Sequence, residues 1–435
     1  MSIFNGKTIL APMVRVGTVG FRVFCAAQGA DIVFSEEVVA SKLIRCKREV
    51  RTYTGCPCSM VEFVSYEPYK NKFKRSIAFA TVARGGCNSQ GEGAPVVLQL
   101  GVAEPAIGAR AALLCVDDVD GIDVNMGCPK KFSVDNGMGA ALMRDPARAA
   151  AILVAVDEAV NSPEKVVARR RRVPISFKTR LLDTADATAQ MLLSVMEGVG
   201  PDRVHAITLH ARTPDQLPDS PPHYERAAAT ISQLRSHKLF SKVCFVLNGS
   251  ISSRGDGRRK AAQFGFDAAM IARHAMLDMS VFSKVSSEPR EDPGDDREPC
   301  TDFMATPMAC ASWMELYRGL LRHHVIYRTP YVYTKYHLTR SVPNITALKH
   351  LMIALQRETN CYEDAARIFG LSVEEQQSMQ GVSEAELLSS LPVEEQDLNE
   401  AKLLIGETTG VDGDSHVEGI HRLSKKHKGE AEMGR

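Results

Sequence analysis

Residues 121–146, GIDVNMGCPKKFSVDNGMGAALMRDP, decide how the rest of the chain is read. Gly121–Asn125 is a short apolar, β-branched run of the length of a buried strand. It ends in Asn125-Met126-Gly127 and delivers Cys128 onto a loop, because the flanking Gly127 and Pro129 suit a shaped turn better than a strand interior. Working outward, seven further runs of this type are separated by helix-length stretches: Thr8–Ala11, Asp31–Ser35, Pro95–Leu100, Pro174–Lys178, Val204–His210, Lys242–Asn248 and Asp267–Ala272. Parallel βα units produce this pattern. Eight runs over about 265 residues match the roughly 250 residues of a (β/α)8, or TIM, barrel.

The downstream ends of these runs carry polar groups: Pro12-Met13, Glu36, Gln99, Asn125 with Cys128, Lys178, His210, Asn248-Gly249 and Arg273. A barrel of this class builds its active site from the C-terminal strand ends, so one site can gather all of them. Taken singly, Gln99 or His210 is more often a satisfied buried polar group than a ligand. Their joint placement reverses those odds.

A hydrophobic share of 44% with 24% charged residues is ordinary for a globular protein, and no apolar run reaches the roughly 18 residues of a membrane span. The N-terminus lacks the features of a secretory signal, so the cytoplasm is the expected location. The Lys425-Lys426-His427-Lys428 run is too short for a firm nuclear signal. Of the 11 cysteines only Cys56 and Cys58 lie close together, without a second pair to complete a zinc site; most are expected reduced and buried, and no metal is expected. A net charge of +1 means that any nucleic-acid binding must come from local patches.

The segment from Asp123 to Pro146 closely resembles the signature of the tRNA-dihydrouridine synthases. APMVRVGT at 11–18, SEE at 35–37 and HARTPDQLP at 210–218 match in the same order, and the resemblance covers residues 8–282. NMGCPKKFS combined with APMVRVGT resembles the eukaryotic branch that modifies position 20 of the D-loop. The resemblance implies FMN, bound at positions that fall here on Pro12, Met13, Val14, Glu36, Gln99, Lys178, His210, Asn248, Gly249, Ser250, Ala272 and Arg273. A lysine suits the negative edge of reduced flavin, while Arg273 and the backbone amides after the last two strands suit a phosphate. It also implies NADPH as reductant and uridine in tRNA as substrate. Hydride then comes from reduced flavin and the proton from Cys128, whose unperturbed thiol, with a pKa of about 8.5, stays protonated near neutrality. Asn125, Lys178 and Arg180 are expected at the uracil edge, which offers carbonyl acceptors and one imide donor.

Two departures from the family pattern stand out. The usual NGG reads Asn248-Gly249-Ser250, and the usual HGR reads His210-Ala211-Arg212. If the third position of the first motif needs positive φ, Ser250 is strained there. Gly137-Met138-Gly139 is rejected as a dinucleotide fingerprint, because it lies well past its strand and lacks the third glycine.

Residues 1–285 are thus the expected catalytic barrel, 286–307 a polar linker, 308–390 a smaller all-helical domain, and 391–435 a polar tail. The helical domain shows capping-box signals at Ser312/Glu315 and Asn360/Glu363 and a stop at Gly370. Arg318, Arg322, Arg328, Lys335 and Arg340, interleaved with Trp313, Tyr317, Tyr327, Tyr331, Tyr333 and Tyr336, predict a basic, aromatic surface for tRNA, with Arg322 and Lys335 as contacts. A solvated face over an aromatic core is the alternative. Arg84–Ala94 and Pro163–Arg172 read as additions, and the Arg169–Arg172 run that ends the latter as a solvated loop on the face opposite the active site. Two other functions remain open: an FMN barrel reducing a free small molecule, and a catalytically silent tRNA-binding protein.

Overall fold

The computed structural model of the chain describes residues 2–69, 72–84, 91–284, 307–342 and 348–372. Among them the strands are, in chain order, β1 Thr8–Leu10, β2 Ile32–Val39, β3 Lys47–Arg51, β4 Met60–Tyr69, β5 Lys72–Val82, β6 Val96–Gly101, β7 Gly121–Met126, β8 Ile175–Arg180, β9 Val204–His210, β10 Cys244–Asn248 and β11 Ala268–Ile271. Eight of these close into a parallel barrel in the order β1-β11-β10-β9-β8-β7-β6-β2. Every strand expected from the sequence is present in it.

Nearly all barrel-strand positions are buried, as expected of strands covered by helices outside and filled by side chains inside. Ile9, Phe34, Val97, Val246 and Met270 belong to an apolar cluster within the barrel that Phe4 caps. A larger cluster joins the outer strand faces to the surrounding helices. Inside, β6, β7 and β8 break the apolar pattern with Gln99, Asp123 and Ser176, all buried.

Two parts differ from expectation. β3, β4 and β5 form an antiparallel sheet between β2 and β6 that the sequence reading passes over. It is held by charge: Arg75 donates to Glu62 at 2.6 Å and to Glu49 at 3.0 Å. Glu92, in the addition at 84–94, makes a buried bidentate pair with Arg22 at 2.6 and 2.8 Å; residues 85–90 lie outside the described residues. The addition at 163–172 forms a helix over Pro163–Arg169, and Arg170–Arg172, within the run expected as a solvated loop, follow it outside any helix or strand. Its arginines serve packing: Arg169 pairs with Asp117, Arg172 pairs with Asp157, and Arg171 donates to the Val119 carbonyl.

Beyond the barrel, helices Pro307–Ile326, Tyr331–Ser341, Lys349–Arg357 and Tyr362–Ile368 form the helical region. Ser312 lies inside the first helix and therefore does not cap it; Glu315 pairs with Arg318 instead. At the last helix Cys361 holds the N-cap position, and Asp364 accepts from the Asn360 N–H, one residue away from the expected box. Gly370, at φ +65°, ends it as expected. Glycines allow this region to pack on the barrel. A Cβ at Gly20 would lie 2.9 Å from the His323 carbonyl oxygen, and one at Gly319 would lie 3.0 Å from the Phe24 ring. His337 Nε2 and the Tyr317 hydroxyl both donate to the Met276 carbonyl, each at 2.8 Å. The expected linker at 286–306 and the tail lie outside the described residues. No described helix is long and apolar enough to cross a membrane.

Candidate functional site

The parallel barrel brings the C-terminal strand ends to one rim, where the sequence-expected residues gather. Pro12, Met13 and Val14 follow β1; Glu36 lies at a register shift in β2; Gln99 is in β6; Asn125 and Cys128 end β7; Lys178 and Arg180 end β8; His210 ends β9; Asn248, Gly249 and Ser250 end β10; Ala272 and Arg273 follow β11. Arg322 and Lys335 are in the helical region.

A buried hydrogen-bonded chain crosses the rim from β8 to the Cys128 loop. Ser176 Oγ donates to Asp123 Oδ1 at 2.7 Å, and Gln99 Nε2 donates to Asp123 Oδ2 at 2.8 Å. Asn125 Nδ2 donates to Gln99 Oε1 at 3.2 Å, while its Oδ1 accepts from the Gly127 and Cys128 N–H groups, each at 3.0 Å. Burial pushes the Asp123 carboxyl up to about 6 against the pull of these donors. Asn125 therefore uses its oxygen to fix the cysteine loop, rather than leaving it free for a uracil edge.

Cys128 sits in a closely fitted seat. Its carbonyl accepts from the Ala140 N–H at 2.9 Å. A Cβ on Gly139, which has φ +58°, would come within 2.6 Å of that carbonyl oxygen and 2.9 Å of the cysteine Cβ. Gly139, one of the two glycines rejected as a nucleotide motif, thus shapes the seat of the cysteine loop. Burial first, and the Glu37 carboxylate second, raise the Cys128 thiol above its ordinary value.

Lys178 and Arg180 lie beside this loop. Arg180 donates to the Gly127 carbonyl at 2.8 Å and the Thr213 carbonyl at 3.1 Å. Lys178 Nζ makes no hydrogen bond among the described residues, and burial together with Arg180 brings it down to about 7. His210 Nε2 lies 3.1 Å from Arg212 Nη1. A guanidinium only donates, so Nε2 accepts and the imidazole is neutral. Burial, then Lys178, Arg180 and the neighbouring arginines, depress it well below its ordinary value.

The turn after β10 has the backbone its sequence foretells. Gly249 is at φ +128° and Ser250 at φ +45°, so the serine occupies the left-handed region. Its Oγ accepts from Arg212 Nη2 at 2.7 Å. Arg273, expected on a phosphate, pairs here with Asp219 and donates to the Pro218 carbonyl at 2.6 Å. Asp219 is 90% exposed, and such surface pairs contribute about 0–1 kcal/mol. Away from the rim, a cavity of 390 Å³ lined in part by Arg84, Glu92 and Asp120 lies at the opposite end of β6.

The aromatic surface expected of the helical region is mostly core. Trp313, Tyr317, Tyr327 and Tyr331 are buried, because their helical spacing puts them on the faces that pack. Lys335 donates to the Thr359 carbonyl at 2.5 Å, Arg318 to the Phe369 carbonyl at 2.7 Å, and Arg322 to Glu315 at 3.3 Å. Tyr336 differs: Arg340 stacks over its ring at 3.8 Å, and Arg15, from the turn after β1, lies at 5.4 Å. This places one basic, aromatic group of the helical region beside the barrel rim.

Residues 9–305 match the family described as dihydrouridine synthase (Dus). The chain belongs to the dihydrouridine synthase family. It is 29% identical over 346 residues to the tRNA-dihydrouridine(20) synthase [NAD(P)+] of Saccharomyces cerevisiae, covering 79% of each chain. It is 32% identical over 282 residues to the enzyme of the same name from Schizosaccharomyces pombe, covering 64% of this chain and 52% of that relative, so the match spans about half of the fission-yeast protein. To tRNA-dihydrouridine synthase B of Xanthomonas axonopodis pv. citri it is 29% identical over 284 residues, covering 64% of this chain and 69% of the relative.

The sequence reading quotes Glu37, Asp123 and Arg212 within its motifs without giving them a role, and passes over Ser176. Period-two alternation carries a signal for two of them: Asp123 shares a strand face with Asn125, and Ser176 with Lys178. Arg212 and Glu37 reach the rim through a turn and a bulge, which alternation does not reveal.

Proposed function

We propose that the protein reduces uridine at position 20 of the tRNA D-loop to 5,6-dihydrouridine, with FMN as cofactor and NADPH as reductant. The observation that carries this reading is the seat of Cys128, fixed by Asn125 at the rim with Lys178 and Arg180 beside it. The names of the two yeast relatives carry position 20 and NAD(P)+, which supports the position and a nicotinamide reductant.

The residues present fit the cofactor. Lys178 offers an ammonium without a hydrogen-bond partner among the described residues, suited to an electron-rich ring edge. Gly249, Ser250, Arg212 and Arg273 gather backbone amides and guanidinium groups suited to a phosphate. Arg273 is released for that role at little cost, because its present partner is exposed. FMN, when bound, supplies the two electrons of the reduction.

Cys128 Sγ holds the proton that the reduced base takes up. A raised thiol remains protonated at neutral pH, as a general acid must. Arg180 braces the loop and retains N–H groups for a uracil carbonyl. Arg340, Tyr336 and Arg15 contact the RNA next to the rim, by phosphate attraction and base stacking, while Lys335 serves helix packing. The uridine leaves its stack to reach the rim, and contacts elsewhere on the RNA offset that cost.

The test is incubation of the purified protein with unmodified tRNA and NADPH, followed by mapping dihydrouridine along the RNA. Product at position 20 supports the reading. A yellow protein that oxidises NADPH but leaves every uridine intact would move the assignment to a free small molecule.

A further inference from the structure

The carboxyl of Glu37 lies against the thiol of Cys128. The residue arrives there through the register shift in β2 between Phe34 and Glu37, after which Glu37 pairs with Gln99 of β6. One oxygen, Oε1, is buried and has no hydrogen-bond partner assigned among the described residues. The adjoining strand makes room for it: a Cβ on Gly101 would lie 2.6 Å from Oε1 and 3.2 Å from Cγ and Cδ. Ser133 Oγ, likewise buried without an assigned partner, lies by the same cysteine: a Cβ on Gly139 would come within 2.5 Å of it and 2.9 Å of the Cys128 Cβ.

We propose that Glu37 is the positioning residue for the proton of Cys128: it holds the sulfur as a thiol between turnovers and passes a proton back to it after each one. The inference rests on the function proposed above. The S–H bond breaks as the new C–H bond of the base forms, and its electron pair stays on sulfur as thiolate. The thiolate then faces a carboxylate across a desolvated contact, and two adjacent negative charges favour taking up one proton. That proton comes from water through the Glu37 carboxyl, whose O–H bond breaks as S–H re-forms.

The surrounding charges are consistent with this role. Cys128 is faced by Glu37 from β2, by Lys130 from its own loop, and by Lys178 and Arg180 from β8. Glu37 is faced by Cys128 and Lys130. Burial raises both the carboxyl and the thiol, so a proton stays with the pair more readily than with either group in water. Glu37 is the one anion in this set. Without it, Lys130, Arg180 and the partly charged Lys178 would lower the thiol against the larger effect of burial, leaving it protonated at neutral pH but slower to regain its proton once spent.

The experiment uses the full-length holoprotein and reads Cys128 directly. Iodoacetamide labelling of Cys128 is followed by peptide mass spectrometry across pH for the wild type, Glu37→Gln, Glu37→Asp and Gly101→Ala. Glu37→Gln should move the labelling midpoint down by about one pH unit, a roughly tenfold gain in thiolate at a given pH below it. Glu37→Asp should restore part of the shift. Gly101→Ala, which displaces the carboxyl without altering either group, should shift it in the same direction as Glu37→Gln. In multiple turnover on unmodified tRNA, Glu37→Gln should complete a first turnover at the wild-type rate and then slow about tenfold. An unmoved labelling midpoint, or an unchanged steady-state rate, overturns the proposal. Absence of product from the wild type overturns the function proposed above instead, and labelling still reports whether Glu37 governs the thiol.

Discussion

Asn125 Oδ1 accepts the N–H of Cys128 at 3.0 Å and that of Gly127 at the same distance, so one carboxamide sets the backbone from which the thiol projects. Its Nδ2 is anchored on Gln99, which is anchored in turn on Asp123. Asn125→Ala removes the acceptor and leaves two N–H groups unpaired. A misplacement of about 1 Å can cost on the order of 10²-fold in rate. We expect dihydrouridine formation to fall by about that factor, with the flavin content unchanged. The rate on unmodified tRNA and the flavin absorbance check both.

Cys128→Ala tests the proposed proton donor alone. Binding of FMN and oxidation of NADPH should persist, while dihydrouridine formation drops by about 10²–10⁴-fold, the range for a lost general acid. Product formation at the wild-type rate would remove Cys128 from the chemistry.

The barrel was legible because eight β-branched runs alternate with helix-length segments and each ends in a chemically distinctive residue. The β3-β4-β5 sheet was not, although Glu49, Glu62 and Arg75 already carried its polar face. Its partners come from one another across turns, and no periodicity announces an insertion into a barrel. The fixing of the Cys128 loop was partly legible: Gly127 and Pro129 marked it, but the role of Asn125 depends on where its side chain turns. Trp313 and Tyr317 were misread as surface because aromatic residues at helical spacing serve a core and a stacking platform equally well. The structure decides by burying them.

His337 makes the packing of the helical region on the barrel sensitive to acid. Its Nε2–H donates to the Met276 carbonyl, and burial brings it down to about 4. In the unfolded chain it takes up a proton near 6.5, so between 6.5 and 4 the unfolded state binds more protons than the native one. Stability from this group is fully present above pH 6.5 and is lost as pH falls toward 4, by about 1.4 kcal/mol per unit. His324, buried and held well below its ordinary value, acts in the same direction. Urea unfolding at pH 7, 6, 5 and 4.5 should show this decline. His337→Gln should make it shallower, whatever the absolute stability of the variant.

Ser250 carries a positive φ and a hydrogen bond from Arg212, two effects of opposite sign. Left-handed backbone costs a non-glycine residue roughly 1–2 kcal/mol. A hydrogen bond to a charged group contributes about 1.5–3 kcal/mol. Ser250→Ala loses the bond and keeps the strain, so it should destabilise by about 1–3 kcal/mol. Ser250→Gly relieves the strain and should lose less than the alanine variant. Equal losses from the two variants, measured by urea unfolding, would show that the backbone there is not strained.

Arg340 stacks on Tyr336 at 3.8 Å, and Arg15 approaches the same ring from the barrel rim at 5.4 Å, so the three form one basic, aromatic group beside the rim, where the proposed function brings the RNA. Each phosphate that a cation neutralises adds about one unit to the slope of log affinity against log salt. Arg340→Ala should weaken tRNA binding and lower that slope by about one unit without altering the flavin spectrum. Tyr336→Ala should weaken binding by about 1–3 kcal/mol, the contribution of one base stacked on an aromatic ring, and leave the slope almost unchanged. A change in slope from Tyr336→Ala equal to that from Arg340→Ala would mean that the ring merely holds the arginine in place. Filter binding at several salt concentrations separates the two roles.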